Sequence, residues 1–135
     1  MRYLCLYKPS KAEGTPPTPQ EMAEMGKLVD EMKREGVLLA TEGCLPSATG
    51  ARVRLSNGKL TVTDGPFTES KELVAGFALI QAKSKAEAIE LTKRFLKIAG
   101  DGESEIRQVF EAGEDCAPGD KAEEYQRQAG SRRAS

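Results

Sequence analysis

The sequence of 135 residues contains no histidine. That absence removes Ser-His-Asp and Cys-His nucleophilic machinery and every imidazole metal ligand. Acid–base chemistry would fall to carboxylates, Lys, Arg, Tyr, Cys or a borrowed cofactor. Cysteine is scarce as well: Cys5, Cys44 and Cys116 are odd in number, far apart and without a CxxC pair. Reduced thiols are therefore expected, and a disulfide framework is not. Cys5 lies in an apolar strand pattern and reads as core, while nothing beside Cys44 marks it as activated. With no imidazoles or clustered thiols, no metal site is expected; a carboxylate-only site would suit Mg²⁺ or Ca²⁺. Nor is a nucleotide-type cofactor indicated. Gly100-Asp101-Gly102 follows a helix instead of opening one, so it reads as a turn and not a phosphate loop.

Neither sign of charge dominates, since 20 basic and 21 acidic residues leave a net charge of −1. No global attraction to nucleic acid or anionic membrane follows. The clear basic cluster, Arg132-Arg133, lies near the end of the chain. Long apolar runs are missing too. The first apolar stretch, Tyr3-Leu4-Cys5-Leu6-Tyr7, falls short of the roughly 7–15 residues of a secretory h-region. No run approaches the roughly 18 residues of a membrane span. A cytoplasmic protein is the expectation, with 39% hydrophobic and 30% charged residues giving an ordinary globular balance.

What is present reads as alternating strands and helices. Residues 2–7 are apolar on both faces and form a strand; residues 8–19, with Gly14, Pro16, Pro17 and Pro19, form a loop. Thr18-Pro19-Gln20-Glu21 is a capping box with Pro at the first helical position. Met22, Met25, Leu28, Val29 and Met32 then make one apolar stripe, and Gly36 ends the helix. Residues 37–45 are a second strand. Residues 52–55 and 60–63 flank Asn57-Gly58, the strongest short hairpin signal, with Arg52 and Arg54 on one face and Val53 and Leu55 on the other. A long strand over 73–82 puts Leu73, Ala75, Phe77 and Leu79 on one face and Val74, Gly76, Ala78 and Ile80 on the other. Ser84-Lys85-Ala86-Glu87 opens a second helix running to about residue 99, with the stripe Ala88, Ile89, Thr92, Phe95, Leu96 and Ala99. A last strand covers 105–111. The order is β-α-β, a hairpin insertion, then β-α-β, which predicts an α+β, ferredoxin-like domain over residues 1–112. Residues 113–135 are polar and read as a mobile tail, helical at most near 122–128.

Two helices cover one face of such a sheet, yet the strands at 3–7, 37–40 and 73–80 are apolar on both. A bare second face would exceed the apolar patch a monomer tolerates. A homodimer through the sheet face is the expected remedy, with Gly76 and Ala78 where the opposing surface approaches closely.

Asp64-Gly65-Pro66-Phe67 forces a turn that Phe67 can anchor by burial. Asp64 suits the turn itself, its carboxylate capping the backbone N–H groups that follow. Asp64, Glu69, Lys71 and Glu72 crowd charge beside a strand end. With Arg107 on the last strand, they are candidates for a polar ligand pocket at the sheet edge, joined by Tyr7, Arg54 and Phe67.

On these residues the sequence resembles the YCII-related family, in particular its DGPF subgroup. The matching stretches are Arg2-Tyr3, Leu6-Tyr7, Gly36-Val37-Leu38-Leu39, Gly43, Leu45-Pro46-Ser47-Ala48 and Val53-Arg54. Above all there is Asp64-Gly65-Pro66-Phe67-Thr68-Glu69-Ser70-Lys71-Glu72, followed by Gly76-Phe77 and Glu105-Ile106-Arg107. The resemblance spans roughly residues 1–112 and implies a dimeric α/β barrel. It implies little about activity: most DGPF proteins have none assigned, and some are encoded near alternative sigma factors. Related proteins that resemble muconolactone isomerase include a dehydrochlorinase and use a His-Asp pair, whose histidine has no counterpart here.

Three readings follow. The first is a dimeric ligand-binding or regulatory protein without chemistry of its own. The second is a lyase or isomerase in which Asp64 acts as a carboxylate base and Arg54 or Arg107 holds the carboxylate of a small organic acid. The third, resting on the resemblance, is an accessory partner in sigma-factor-linked transcription control. Direct contact with nucleic acid or membrane is not expected.

Overall fold

The computed structural model describes residues 1–67 and 72–111. Residues 113–135, expected to be a tail, lie outside the described residues. The chain runs β1 (Arg2–Pro9), α1 (Pro19–Arg34), β2 (Leu38–Gly43), a single 3₁₀ turn at Ser47–Thr49, β3 (Ala51–Ser56), β4 (Lys59–Asp64), β5 (Gly76–Gln81), α2 (Lys85–Ala99) and β6 (Gly102–Gln108). Strands β2-β5-β1-β6 form one sheet in that order, and β3-β4 form a separate two-stranded ribbon. Every observed pairing is antiparallel. This is the α+β, ferredoxin-like order, with the ribbon inserted between β2 and β5.

Both helices begin where their capping residues dictate. Thr18 Oγ1 accepts from the Glu21 N–H at 3.1 Å, and Ser84 Oγ from the Glu87 N–H at 3.2 Å. The end of α1 is a Schellman closure. Gly36, at φ +75°, donates to the Lys33 carbonyl and Val37 to that of Met32. Asn57 and Gly58 take φ of 50° and 78°, the two positive values of a type I′ turn, and they close the ribbon.

The helices share one face of the sheet. Tyr3, Cys5, Leu38 and Ile80 from the strands, with Ala82 just past β5, are buried against Leu28, Met32, Ala88 and Leu91. Register fixes what lies on the other face: Leu4 opposes Leu79 and Leu6 opposes Phe77. All four are half-buried, with no helix of the described residues over them. Strands β1 and β5 are therefore apolar on both faces, as the sequence pattern predicts.

Several details differ from the sequence pattern. Strand β5 begins at Gly76 instead of residue 73, and β6 is Gly102–Gln108 instead of 105–111, because pairing with β1 brings Gly102 opposite Pro9. Met22 is 60% exposed and Ile89 36%, whereas Leu91, outside the expected stripe of α2, is buried. Gly76 and Ala78 pair with Tyr7 and Cys5 and so belong to the helix-facing side, not to the open face. Gly76 is needed for a different close approach, since a Cβ there would lie 2.9 Å from the Glu42 carbonyl oxygen of β2.

Candidate functional site

Small residues at the ends of β2 and β5 leave a gap between sheet and helices. The result is a cavity of about 210 Å³. Its floor is strand β1 with Cys5 and Tyr7, flanked by Gly76 and Ala78 of β5 and Ser104 of β6; α1 contributes Met25 and Val29, and α2 Thr92 and Phe95. The lining is mostly hydrocarbon and thioether, the setting in which small ligands are commonly held. Methionine adds adaptability, because its thioether fills irregular space with little strain.

Its polar groups are few, and most are committed. Tyr7 Oη donates to the Ala99 carbonyl at a long 3.5 Å, Thr41 Oγ1 to the Phe77 carbonyl at 2.9 Å, and Thr92 Oγ1 to the Ala88 carbonyl at 2.8 Å. Cys5 Sγ lies 3.8 Å from Thr92 Oγ1. Ser104 makes no side-chain hydrogen bond among the described residues, so its hydroxyl is available to an occupant. Burial pushes the Cys5 thiol up, against a smaller downward pull from the Thr92 hydroxyl. Burial, reinforced by the charges of Asp101 and Glu21, pushes the Tyr7 phenol up as well. Both groups stay protonated at neutral pH and act as donors, not as nucleophile or base.

The Asp64–Phe67 turn serves a different purpose. A Cβ on Gly65 would overlap the Ser47 carbonyl oxygen, so only glycine lets the two backbones come this close. Ser47 Oγ accepts from the Phe67 N–H at 3.0 Å and donates to Glu13 Oε2 at 2.6 Å, while the Ser47 N–H donates to Glu13 Oε1 at 2.7 Å. Gly65 N–H donates to the Gly50 carbonyl at 3.0 Å, and the Arg52 guanidinium stacks 4.0 Å above the Phe67 ring. The turn is thus clasped to the 3₁₀ turn and, through Glu13, to the loop before α1. It is Ser47, not the Asp64 carboxylate, that holds the Phe67 N–H.

Of the residues expected at a polar pocket, Tyr7 lines the cavity. Arg54 stands on the ribbon opposite Thr61, Asp64 ends the ribbon opposite Ala51, and both are exposed. Phe67 is half-buried under Arg52, and Glu72 is exposed. Arg107 lies on the open face of β6 beside Leu4 and pairs with Glu105 at 3.4 Å. Glu69 and Lys71 lie outside the described residues. Sequence reasoning missed Phe95 and Ser104 as site residues. The available signal was Thr92 and Phe95 in the apolar stripe of α2, and a serine on the strand face that also carries Ile106.

Among the described residues no helix is long and apolar enough to cross a membrane, and no group of His, Cys, Asp and Glu is placed to hold a metal ion.

A family model, the YCII-related domain, matches residues 1–112. An uncharacterized protein of Rhizobium meliloti (strain 1021) is 41% identical over 49 residues, which is 36% of this chain and 40% of that protein. The matched stretch therefore spans well under half of the curated relative. Among solved structures, the chain is similar to 5-chloro-2-hydroxyhydroquinone dehydrochlorinase from Burkholderia phenoliruptrix AC1100 in complex with 2,5-dihydroxybenzoquinone. The TM-score is 0.43 and the identity 12%, over 82% of this chain and 94% of that one.

Proposed function

The chain belongs to the YCII-related family, and from that premise we propose that it is a homodimeric binding protein for a small, single-ring or similarly compact apolar molecule with one or two polar substituents. The supporting observation is the cavity beside Tyr7, apolar over most of its wall and about 210 Å³ in volume. An apolar space of about 150 Å³ admits benzene, so a single ring fits here with room for a substituent. Tyr7 and Ser104 would meet the polar substituents. This moves the ligand from the loop of Asp64 to the space between sheet and helices. The sequence of the Asp64–Phe67 turn also supports placing the chain in the DGPF subgroup, with the turn as a structural clasp.

Binding without chemistry is the reading the site favours. A lyase or isomerase needs a base beside its substrate, and inside the cavity Cys5 and Tyr7 hold their protons, while Glu42, at the rim, is exposed and pairs with Phe77 of the open face. Asp64, the candidate base, is exposed on the ribbon. The dimer is supported by the open sheet face, where Leu4, Leu6, Phe77 and Leu79 form one apolar patch. Two such faces packed together would complete a dimeric α/β barrel.

The test is a thermal-shift and NMR titration with phenol, benzene and cyclohexanol, on the natural protein and on Ala78→Leu, whose added carbons occupy the cavity. Saturable binding by the natural protein and its loss in the folded variant support the reading. Equal shifts in both proteins sink it.

A further inference from the structure

The β3–β4 ribbon is a sheet of its own, and it has a bare apolar side. Val53 opposes Val62 and Leu55 opposes Leu60, so the four side chains share one face. They are 66–69% exposed. The opposite face carries Arg52, Arg54 and Lys59, with Thr61 and Thr63 across the ladder.

A lone two-stranded hairpin is marginal in water and needs a cover on its apolar side. The helices and the main sheet of the same chain do not supply it, because every residue of both ribbon strands is exposed. We propose that the cover is the same ribbon of a second copy of this chain, so that the two ribbons form an arm-to-arm contact in the homodimer. This rests on the dimer reading given above.

Three observations favour a second copy over a foreign partner. The four central side chains of the strip are aliphatic, with Asp64 opposite Ala51 at one end and the three cations on the far side. That is the character of an obligate contact between copies, since transient interfaces are more polar. A cover needed for the ribbon to persist must always be present, and another copy always is. The area also fits. Four aliphatic side chains exposed to this degree present on the order of 400 Å², near the most a monomer leaves bare. Two ribbons together would bury about 800 Å², half of the roughly 1,600 Å² of a standard interface. The open faces of the two sheets are there to supply the remainder.

The experiment is isotope-filtered NMR on a mixture of labelled and unlabelled full-length chain, with mass by light scattering over a dilution series. Expected are a dimer and intermolecular NOEs among the methyls of Val53, Leu55, Leu60 and Val62. Leu55→Thr/Leu60→Thr, which keeps strand-forming residues, should weaken association at least tenfold without changing the spectrum of the main sheet. A dimer with no ribbon NOEs and unchanged affinity in the double variant overturns the arm contact and leaves the dimer standing. A monomer at every concentration overturns both. NOEs from the ribbon methyls to residues 113–135 of the same chain assign the cover to the tail and overturn the inference.

Discussion

Tyr7 and Phe95 meet edge to face in the cavity wall, with ring centroids 5.1 Å apart and planes at 85°. One ring comes from the central strand and the other from α2, so the pair pins the helix to the sheet beside the gap. Such a pair contributes about 0.5–1.5 kcal/mol beyond the area it buries. A double-mutant cycle with Tyr7→Leu and Phe95→Leu should return a coupling in that range by urea denaturation. A coupling near zero would show that the cavity wall is held by other packing.

Tyr7→Phe separates the ring from its hydroxyl. The hydroxyl reaches the Ala99 carbonyl at 3.5 Å, too long for a strong bond, so stability should change by under about 0.5 kcal/mol. Phenol affinity in the same variant should fall several-fold if the hydroxyl meets the occupant. Unchanged affinity would remove Tyr7 from the polar contacts.

Gly65→Ala should be among the most destabilising alanine substitutions in the chain, at about 3 kcal/mol or by failure to fold. The new methyl has to displace backbone at Ser47 and not a pliable side chain. Gly58→Ala is the control, because open space surrounds it and its cost comes from positive φ alone, about 1 kcal/mol. Comparable melting temperatures for the two variants would refute the clasp.

The contrast between these glycines shows what the sequence could disclose. Asn57-Gly58 announces itself because the turn is local and both positions want positive φ. The caps at Thr18 and Ser84 and the stop at Gly36 are legible for the same reason, and with them most of the fold. The clasp is not local. Glu13, Ser47 and Phe67 are brought together by the chain path, and nothing in their spacing says so. Charged residues around Asp64 suggested a pocket, whereas Arg107 is committed to the other edge of the sheet beside Glu105. The cavity is hidden more deeply still, since it arises from side chains too small to fill a space. A pattern of apolar positions reports which residues face inward and not how well they fill the interior.

Thiol reactivity offers a readout of the cavity. In a Cys116→Ser background, exposed Cys44 should react with a disulfide reagent in the fast phase. Cys5, buried and with its thiol pushed up by burial, should react far more slowly. Phenol in the cavity should slow Cys5 further and leave Cys44 alone. Equal protection of both thiols would show that any effect of phenol is not local to the cavity.

Glu105 gives a pH dependence whose sign can be worked out. Hydrogen bonds from Lys8, at 3.3 Å, and from Arg107 hold its carboxyl below the usual carboxylate range. A carboxyl depressed in the folded state binds its proton more weakly than in the unfolded chain. Its contribution is therefore present above the unfolded value, about 4.3, and is lost as pH falls through the folded value. Glu105→Gln removes that contribution, so the natural protein should be the more stable of the two at pH 7. The gap should close as pH falls from about 4.3 toward 2. Because the pair is near the surface, 0.5 M salt should narrow the gap at pH 7 as well. Urea midpoints for both proteins at pH 7, 4 and 2.5 decide it. A gap that stays constant with pH would assign the effect to packing of the side chain and not to its charge.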